Sequence, residues 1–293
     1  MRTINEFFSQ EPQKTLYHYT GVSSLIRIAE SQRIWASHVY YLNDISELTY
    51  AGEVMRDAIF ERFNYSADKE EQLFLHELFT WVFSVFKDTI YHLFIVALTE
   101  EGNLLSQWRS YTPHGKGVSL GFEPEFLLRN IKSQNLRIAR CLYQASEQKE
   151  LMHDLLSKIL FTFNQERQTY DSSHSGPSEK YLGIMNKFIG DLLQVFSIIK
   201  HPAFSEEKEW RIISPNFPEC TVPQIKFREG ASMLVPYIEV DLSNIREGET
   251  LFEEIYLGPA QHVKLSMSTL STYLSSRKLC NKLTYSDIPY REW

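Results

Sequence analysis

Segments with strand character form two groups in this 293-residue chain, and a long helical stretch separates them. Runs rich in β-branched and aromatic residues occur up to Tyr143 and again from Lys208, whereas residues 146–200 show helical periodicity around one Ser/Gly/Pro loop. Strands far apart in sequence can complete one sheet. We therefore predict an α+β fold with a mixed, split β-sheet core, in which residues 1–293 form a single domain and residues 146–200 are a helical insertion.

The strands are predicted from alternation or from short apolar runs bounded by turn residues. They are Thr15–Thr20, Arg33–Ser37, Ile90–Thr99, Gly117–Phe122, Leu136–Tyr143, Lys208–Ser214, Gln224–Arg228, Met233–Asp241 and Glu254–Leu257. Thr20 is placed to cap the helix that follows the first strand, and Asp44 to cap a helix over Ile45–Phe63.

Charge and cysteine content argue against several classes of protein. The chain has 30 Lys and Arg against 37 Asp and Glu, and its formal net charge of −7 argues against broad wrapping of nucleic acid. The N-terminus lacks the apolar stretch of a secretory signal, and the nearest candidate for a membrane span, Leu73–Phe86, is interrupted by polar residues. Three widely spaced cysteines fit a reducing cytoplasm, with neither a disulfide framework nor a structural zinc site.

The first candidate for a functional site is the segment from Glu206 to Ile213, Glu-Glu-Lys-Glu-Trp-Arg-Ile-Ile. Side chains two apart on a strand share a face, so we predict that Glu207, Glu209 and Arg211 point one way, over the floor of a polar cleft. The alternative is an edge strand whose charges are solvated.

A second candidate is the segment Leu16 to Thr20, in which His18 shares a strand face with Thr20. A histidine at a strand end can form a directed hydrogen bond in a cleft. The alternative is a histidine satisfied within the core. The histidines show no metal-binding spacing, so no metal site is predicted.

Two further segments have ligand-binding character. Tyr40 and Tyr41 precede the predicted helix on which Tyr50 lies, and their rings can sandwich a planar ligand or simply pack on that helix. Arg109, or Lys116 between two glycines, can bind a phosphate, although a hairpin turn accounts equally for the glycines.

These segments, in this order, resemble a widespread bacterial family known as a domain of unknown function. The matching stretches are Tyr17–Thr20, Leu42–Asp44, Gln107–Tyr111, Gly117–Phe122, Glu207–Arg211, Ile255–Pro259 and Ile288–Arg291. The order also resembles ADP-ribosyltransferases of the His–Tyr–Glu type, in which a histidine strand, a tyrosine segment and a late glutamate build one site.

The second resemblance implies an ADP-ribosyltransferase-like fold and NAD as the substrate. His18 and Thr20 would hold the nicotinamide ribose and carboxamide, and tyrosines would stack on the nicotinamide ring. Glu209 would stabilise the cationic transition state, and Glu207 would activate the acceptor. The implied catalytic residues are Glu209, His18, Tyr41 and Glu207, and the implied NAD-binding residues are Thr20, Tyr19, Tyr50, Asn43, Arg109 and Arg211.

The function expected from this resemblance is consumption of NAD by a transferase or glycohydrolase acting on an unknown macromolecular acceptor, as in a bacterial toxin or phage-defence effector. The alternative is a non-catalytic module that binds a nucleotide or protein segment in the same cleft. A third possibility is an unrelated hydrolase or nuclease using Glu207, Glu209 and Asp44, although metal-dependent nucleases usually need a denser acidic cluster.

Overall fold

The computed structural model describes residues 2–42, 46–85, 91–113, 116–167, 177–217, 224–230 and 232–289 of the chain. Ten strands form one sheet. In chain order they are β1 (Leu16–Gly21), β2 (Arg33–His38), β3 (Phe94–Thr99), β4 (Gly117–Phe122), β5 (Arg137–Arg140), β6 (Glu209–Ile213), β7 (Lys226–Glu229), β8 (Leu234–Asp241), β9 (Phe252–Leu257) and β10 (Cys280–Tyr285).

Helices cover both faces of this sheet. They are α1 (Ile4–Phe8), α2 (Val22–Ser31), α3 (Ser46–Tyr65), α4 (Lys69–Ser84), α5 (Leu105–Tyr111), α6 (Pro124–Lys132), α7 (Ala145–Glu166), α8 (Pro177–Asn186), α9 (Ile189–Phe196) and α10 (Val263–Arg277). Short 3₁₀ turns occur at Val39–Tyr41 and Pro202–Glu207.

The sheet splits at β3. One edge of β3 pairs along its length with β6, which in turn pairs with β5. The other edge is shared, because β1 pairs only at Thr99 and β2 pairs at Phe94 and Ile95. From there one limb continues as β1, β4, β9 and β10, and the other as β2, β8 and β7. The split opens a gap between β1 and β2, the two strands that α2 connects.

Alternate residues of β3 and β6 face two different cores. Ile95 and Ile213 pack into a core formed largely by α3, α4, α7, α8 and α9. Val96 and Ile212 face the other core, which includes residues of α2, α6 and α10. The central strands are therefore buried on both faces, and all five residues of β6 are buried.

The helices α7 to α9 leave and rejoin the sheet at one place. Leu142 N donates to Ile198 O at 2.7 Å, and Lys200 N donates to Leu142 O at 3.1 Å, so the two ends of this helical stretch are hydrogen-bonded to each other. Stacking of Phe74 on Phe163, with ring centroids 4.3 Å apart, joins the stretch to α4.

The structure confirms the predicted mixed α+β class with an open, mixed sheet of many strands. In the described part of the chain no helix is both long and apolar enough to cross a membrane. The predicted cap at Thr20 is wrong, because β1 extends one residue further and Gly21 occupies the N-cap of α2 without a side-chain hydrogen bond. Asp44 lies outside the described residues.

Candidate active site

Five charged side chains meet in the core behind β6, and we call them the ion cluster. None is more than 10% exposed. With all five ionised, three carboxylates face two cations, which leaves a formal charge of −1. Buried charges require pairing and hydrogen bonds. The members are Glu47, Lys200, Glu207, Glu209 and Arg211.

The Lys200 ammonium lies between all three carboxylates. Its Nζ donates to Glu207 Oε2 at 2.5 Å and to Glu209 Oε2 at 2.6 Å. The same nitrogen is 3.1 Å from Glu47 Oε1. Lys200 therefore donates to two carboxylates and forms an ion pair with a third.

The Arg211 guanidinium holds two of the same carboxylates. Its Nε and Nη2 donate to the two oxygens of Glu209 at 2.7 and 3.1 Å, a bidentate arrangement. Nη2 also donates to Glu47 Oε2 at 2.6 Å, and Nη1 donates to Ser197 O at 2.5 Å. Both oxygens of Glu209 are therefore fixed in direction by cations.

The local backbone explains how these side chains converge. Glu209 and Arg211 share one face of β6, as predicted from their spacing. Glu207 precedes β6 and ends the 3₁₀ turn Pro202–Glu207, so the strand alternation used to predict its direction does not apply to it. Lys208 follows in the left-handed conformation, with φ of 43°, and this breaks the alternation. The Glu207 carboxylate still reaches the ion cluster.

The cluster shifts the pKa values of its two neighbouring carboxylates in opposite directions. Burial alone would raise the pKa of Glu209, but Arg211 and Lys200 lower it below its ordinary value. Burial, with the nearby charges of Glu209 and Glu47, raises the pKa of Glu207 above its ordinary value although Lys200 opposes this. Burial would lower the pKa of Lys200, yet Glu209 and other carboxylates raise it. Glu209 is thus ionised at neutral pH, and Glu207 is the easier of the pair to protonate.

A small cavity of about 40 Å³ lies beside the cluster, where β1 leaves β3. This volume admits a few water-sized groups. We call it the small cavity, and burial raises the pKa of Tyr111 in its wall to about 12. Among its lining residues are His18, Tyr19, Thr99, Tyr111, Glu207 and Glu209.

The strand register places His18 and Glu209 on opposite faces of the sheet. Tyr17 is opposite Thr99, and Thr99 is opposite Glu209, so these three side chains form one row on one face. His18 therefore leans toward the other face, and its Nδ1 lies 3.0 Å from Ala97 O in the gap beside β3. His18 also lines the small cavity.

The bond to a carbonyl defines the tautomer of His18. A carbonyl oxygen only accepts, so Nδ1 is the protonated nitrogen and Nε2 has the lone pair. Burial lowers the pKa of His18, against the opposing effect of the hydrogen bond with Ala97. The imidazole is thus neutral at pH 7, and Nε2 is available as an acceptor.

A larger cavity of about 250 Å³ lies in the gap between β1 and β2, and we call it the arginine cavity. Arg27, Arg33 and Arg228 line it. His18 and Thr20 line it as well, so His18 borders both cavities. Thr20, predicted to bind NAD, faces only the larger of the two.

Two other predicted residues, Tyr19 and Tyr50, make hydrogen bonds that join elements of the fold. The Tyr19 hydroxyl donates to Glu101 O at 2.7 Å and accepts from Leu104 N at 2.8 Å, which ties β1 to the entry of α5. The Tyr50 hydroxyl donates to Gln148 Oε1 at 2.9 Å, within the helical layer.

The stacking pair implied by the resemblance is not assembled at either cavity. Tyr41 is 37% exposed on its 3₁₀ turn, with its ring edge against His38, and Tyr50 faces α7. Arg109 lies exposed on α5 and lines neither cavity. Asn43 lies outside the described residues.

Sequence reasoning missed two members of the cluster, Lys200 and Glu47. Lys200 is the last residue of the predicted helical insertion, residues 146–200. The available signal was a single lysine after the apolar run Val195–Ile199. Glu47 is 164 positions from Arg211, and no local pattern links the two.

Residues 107–212 match the family described as protein of unknown function (DUF2971). The match covers rather more than a third of the chain and includes four cluster members, whereas Glu47 and His18 lie outside it. No curated protein and no solved structure matches the chain. Among the described residues no group of three or more His, Cys, Asp or Glu is arranged to hold a metal ion.

Proposed function

We propose that the protein consumes NAD, breaking the bond between nicotinamide and ribose as an ADP-ribosyltransferase or an NAD glycohydrolase. The observation that carries the proposal is the pair Glu207 and Glu209, which share one ammonium and have pKa values shifted in opposite directions. Divergent pairs of this kind are typical of acid–base and electrostatic roles in one site. His18, from the other end of the chain, lines the same small cavity.

The chemistry follows from these two protonation states. Ionised Glu209 would stabilise the positive charge that develops on the ribose as the C1′–N bond breaks. The bonding electron pair leaves with nicotinamide, which departs neutral. A water or acceptor nucleophile then bonds to C1′, and its proton passes to Glu207, whose raised pKa suits it to general base catalysis.

The volumes of the two cavities suit different parts of the NAD substrate. The small cavity, about 40 Å³, suits the nucleophile or a ribose hydroxyl and not a nicotinamide ring. The body of the dinucleotide would lie in the arginine cavity, about 250 Å³, which His18 and Tyr19 also border. The neutral Nε2 of His18 would accept a hydrogen bond from the ribose.

The test is release of free nicotinamide from NAD by the purified chain, with and without cell lysate as a source of acceptor. We expect Glu209→Gln to lower turnover by about 100-fold or more with NAD binding little changed. This variant leaves two carboxylates facing two cations, so the formal charge of the cluster changes from −1 to zero and we expect it to fold. Glu206→Gln, at an exposed neighbour, is the matched control.

Glu207→Gln provides a second, independent readout. We expect it to remove the acidic limb of the pH–rate profile, because that limb reports the protonation of the general base. Full turnover by a folded Glu209→Gln protein would refute the mechanism. Turnover that falls only in step with the folded fraction of each variant would also count against it.

A second candidate function is a non-catalytic module that binds a nucleotide or a protein segment. Both oxygens of Glu209 are held by cations, which is the specific observation in its favour. In this case the parent protein binds nucleotide and releases no nicotinamide. If turnover is found instead, its biological setting as a toxin or phage-defence effector is tested by NAD loss and growth arrest on expression, compared with Glu209→Gln.

A further inference from the structure

The arginine cavity has a charge pattern that the ion cluster does not explain. Its wall comes from β1, α2 and β2, the three elements around the split, and from β7. Three arginines and one histidine are its ionisable lining residues apart from Tyr19, and no carboxylate lines it within the described chain. The gap in the sheet is therefore positively charged.

Two of these arginines lack a carboxylate partner in the described structure. Arg33 Nη1 donates to Glu239 Oε2 at 2.8 Å, so its charge is compensated. Arg27 Nη2 donates only to the Ser24 hydroxyl, at 2.9 Å. Arg228 Nη2 donates only to the Ser37 hydroxyl, at 3.2 Å.

Both uncompensated guanidinium groups are held in place. Arg27 lies over the Trp35 ring with its Cζ 3.6 Å from the centroid, and stacking of this kind fixes the guanidinium plane. Burial lowers the pKa of Arg27, Tyr237 opposes this, and the nearby charge of Arg228 also lowers it. The Nε of Arg228 is buried without a hydrogen-bond partner in the described structure. A buried donor left unpaired is costly, and an anion bound at the same guanidinium would offset part of that cost.

The geometry points to a binding subsite for a phosphate or diphosphate group in the arginine cavity, held by Arg27 and Arg228. The Arg27 and Arg228 guanidinium groups repel each other, and an anion that accepts hydrogen bonds from both would compensate their charges. Hydroxyls of Thr20, Ser24 and Ser37 line the same wall and supply neutral donors.

This subsite does not depend on turnover at Glu209. Within the NAD proposal it would take the diphosphate, the role that the sequence assigned to Arg109. Trp35 is not offered as a stacking surface for a base, because Arg27 covers the ring and Tyr237 contacts it with centroids 4.3 Å apart. The predicted ligand class is defined by phosphate alone.

Calorimetric titration of the full chain with inorganic pyrophosphate, ADP and adenosine, at low ionic strength, tests the subsite. We expect pyrophosphate and ADP to bind saturably, adenosine to bind at least about 10-fold more weakly than ADP, and both anions to weaken with added salt. Arg27→Gln and Arg228→Gln should each weaken ADP binding by about 10- to 100-fold.

Two matched controls separate this site from general charge. Arg33→Gln removes a compensated arginine from the same wall, and Arg246→Gln removes an exposed one paired with Glu125. We expect less than about a threefold change for either, as for other exposed ion pairs. Arg27→Lys keeps the charge and should bind better than Arg27→Gln, which covers the case in which the glutamine variant folds poorly.

The binding results test the phosphate subsite independently of catalysis. Absence of saturable binding of pyrophosphate and ADP to the folded parent overturns the subsite. Equal affinity for adenosine and ADP overturns the subsite as well. It is also overturned if Arg33→Gln loses ADP binding while Arg27→Gln and Arg228→Gln keep it. ADP binding that depends on Arg27 and Arg228 supports it even if no nicotinamide is ever released.

Discussion

Replacing Lys200 by methionine removes the central cation of the ion cluster while keeping a long, unbranched side chain. At about 3 Å and an effective dielectric constant of about 20, each carboxylate attracts the ammonium by roughly 5 kcal/mol. Most of this offsets the dehydration of the ions, and breaking a buried pair by removing one partner costs about 3–5 kcal/mol. Because three carboxylates contact Lys200, we expect Lys200→Met to lose at least that much stability at pH 8.

The loss should shrink in acid. Without Lys200 the folded-state pKa of Glu207, which burial already raises, rises further above its unfolded value, so the folded variant binds a proton more readily than the unfolded chain. Stability relative to the parent therefore recovers as pH falls. We expect the destabilisation at pH 5 to be smaller than at pH 8 by about 1 kcal/mol or more. Urea unfolding followed by tryptophan fluorescence measures it, and the thermal midpoint should fall by roughly 10 °C at pH 8.

Lys187→Met is the matched control, because Lys187 pairs with Glu166 at 2.7 Å but its side chain is 55% exposed. An exposed pair of this kind contributes at most about 1 kcal/mol, at either pH. A loss for Lys200→Met no larger than that of the control would refute the reasoning. So would a loss that is the same at pH 5 and pH 8.

Two further predictions concern the groups around the split. Burial and the adjacent His92 lower the pKa of His38 from 6.5 to about 4, so protonation favours the unfolded chain between those values. The contribution of neutral His38 to the free energy of unfolding is complete above pH 6.5, and about 3 kcal/mol of it is lost as the pH falls to about 4. Urea unfolding of His38→Asn should therefore depend less on pH over that range. Tyr143→Phe leaves the buried Glu209 N–H, now bonded to the Tyr143 hydroxyl at 3.0 Å, without its acceptor. We expect a loss of about 1–3 kcal/mol in urea unfolding, and a neutral result would contradict it.

Local pattern was enough to find most of the sheet. The strands around Leu16–Gly21 and Glu209–Ile213 follow from alternation and β-propensity, and their observed ends differ from the predicted ones by one residue. The strand Cys280–Tyr285 was missed, because its Asn, Lys and Cys residues give little strand signal. It forms by parallel pairing with β9 at the edge of the sheet, which is a tertiary effect.

The site was only partly accessible to sequence reasoning, for a physical reason. Glu209 and Arg211 follow from strand spacing, since the contact between them is local. Lys200 and Glu47 join them through folding of the helical layer, and Glu47 is 164 positions from Arg211. Lys208 illustrates the opposite failure, because its left-handed conformation interrupts a strand pattern that the sequence shows as continuous.

Burying five charged side chains beside the central strands has a large dehydration cost. Replacing a buried ion network by apolar side chains of similar volume is often neutral or stabilising, so stability alone does not account for five charges at this position. Lys200 and Arg211 instead hold the Glu209 carboxylate beside the small cavity, where β1 separates from β3. Departures from the rules of core packing are expected at functional sites, where stability is given up for positioning. The coincidence of the cluster with the split in the sheet supports our proposal that the Glu209 carboxylate is reactive.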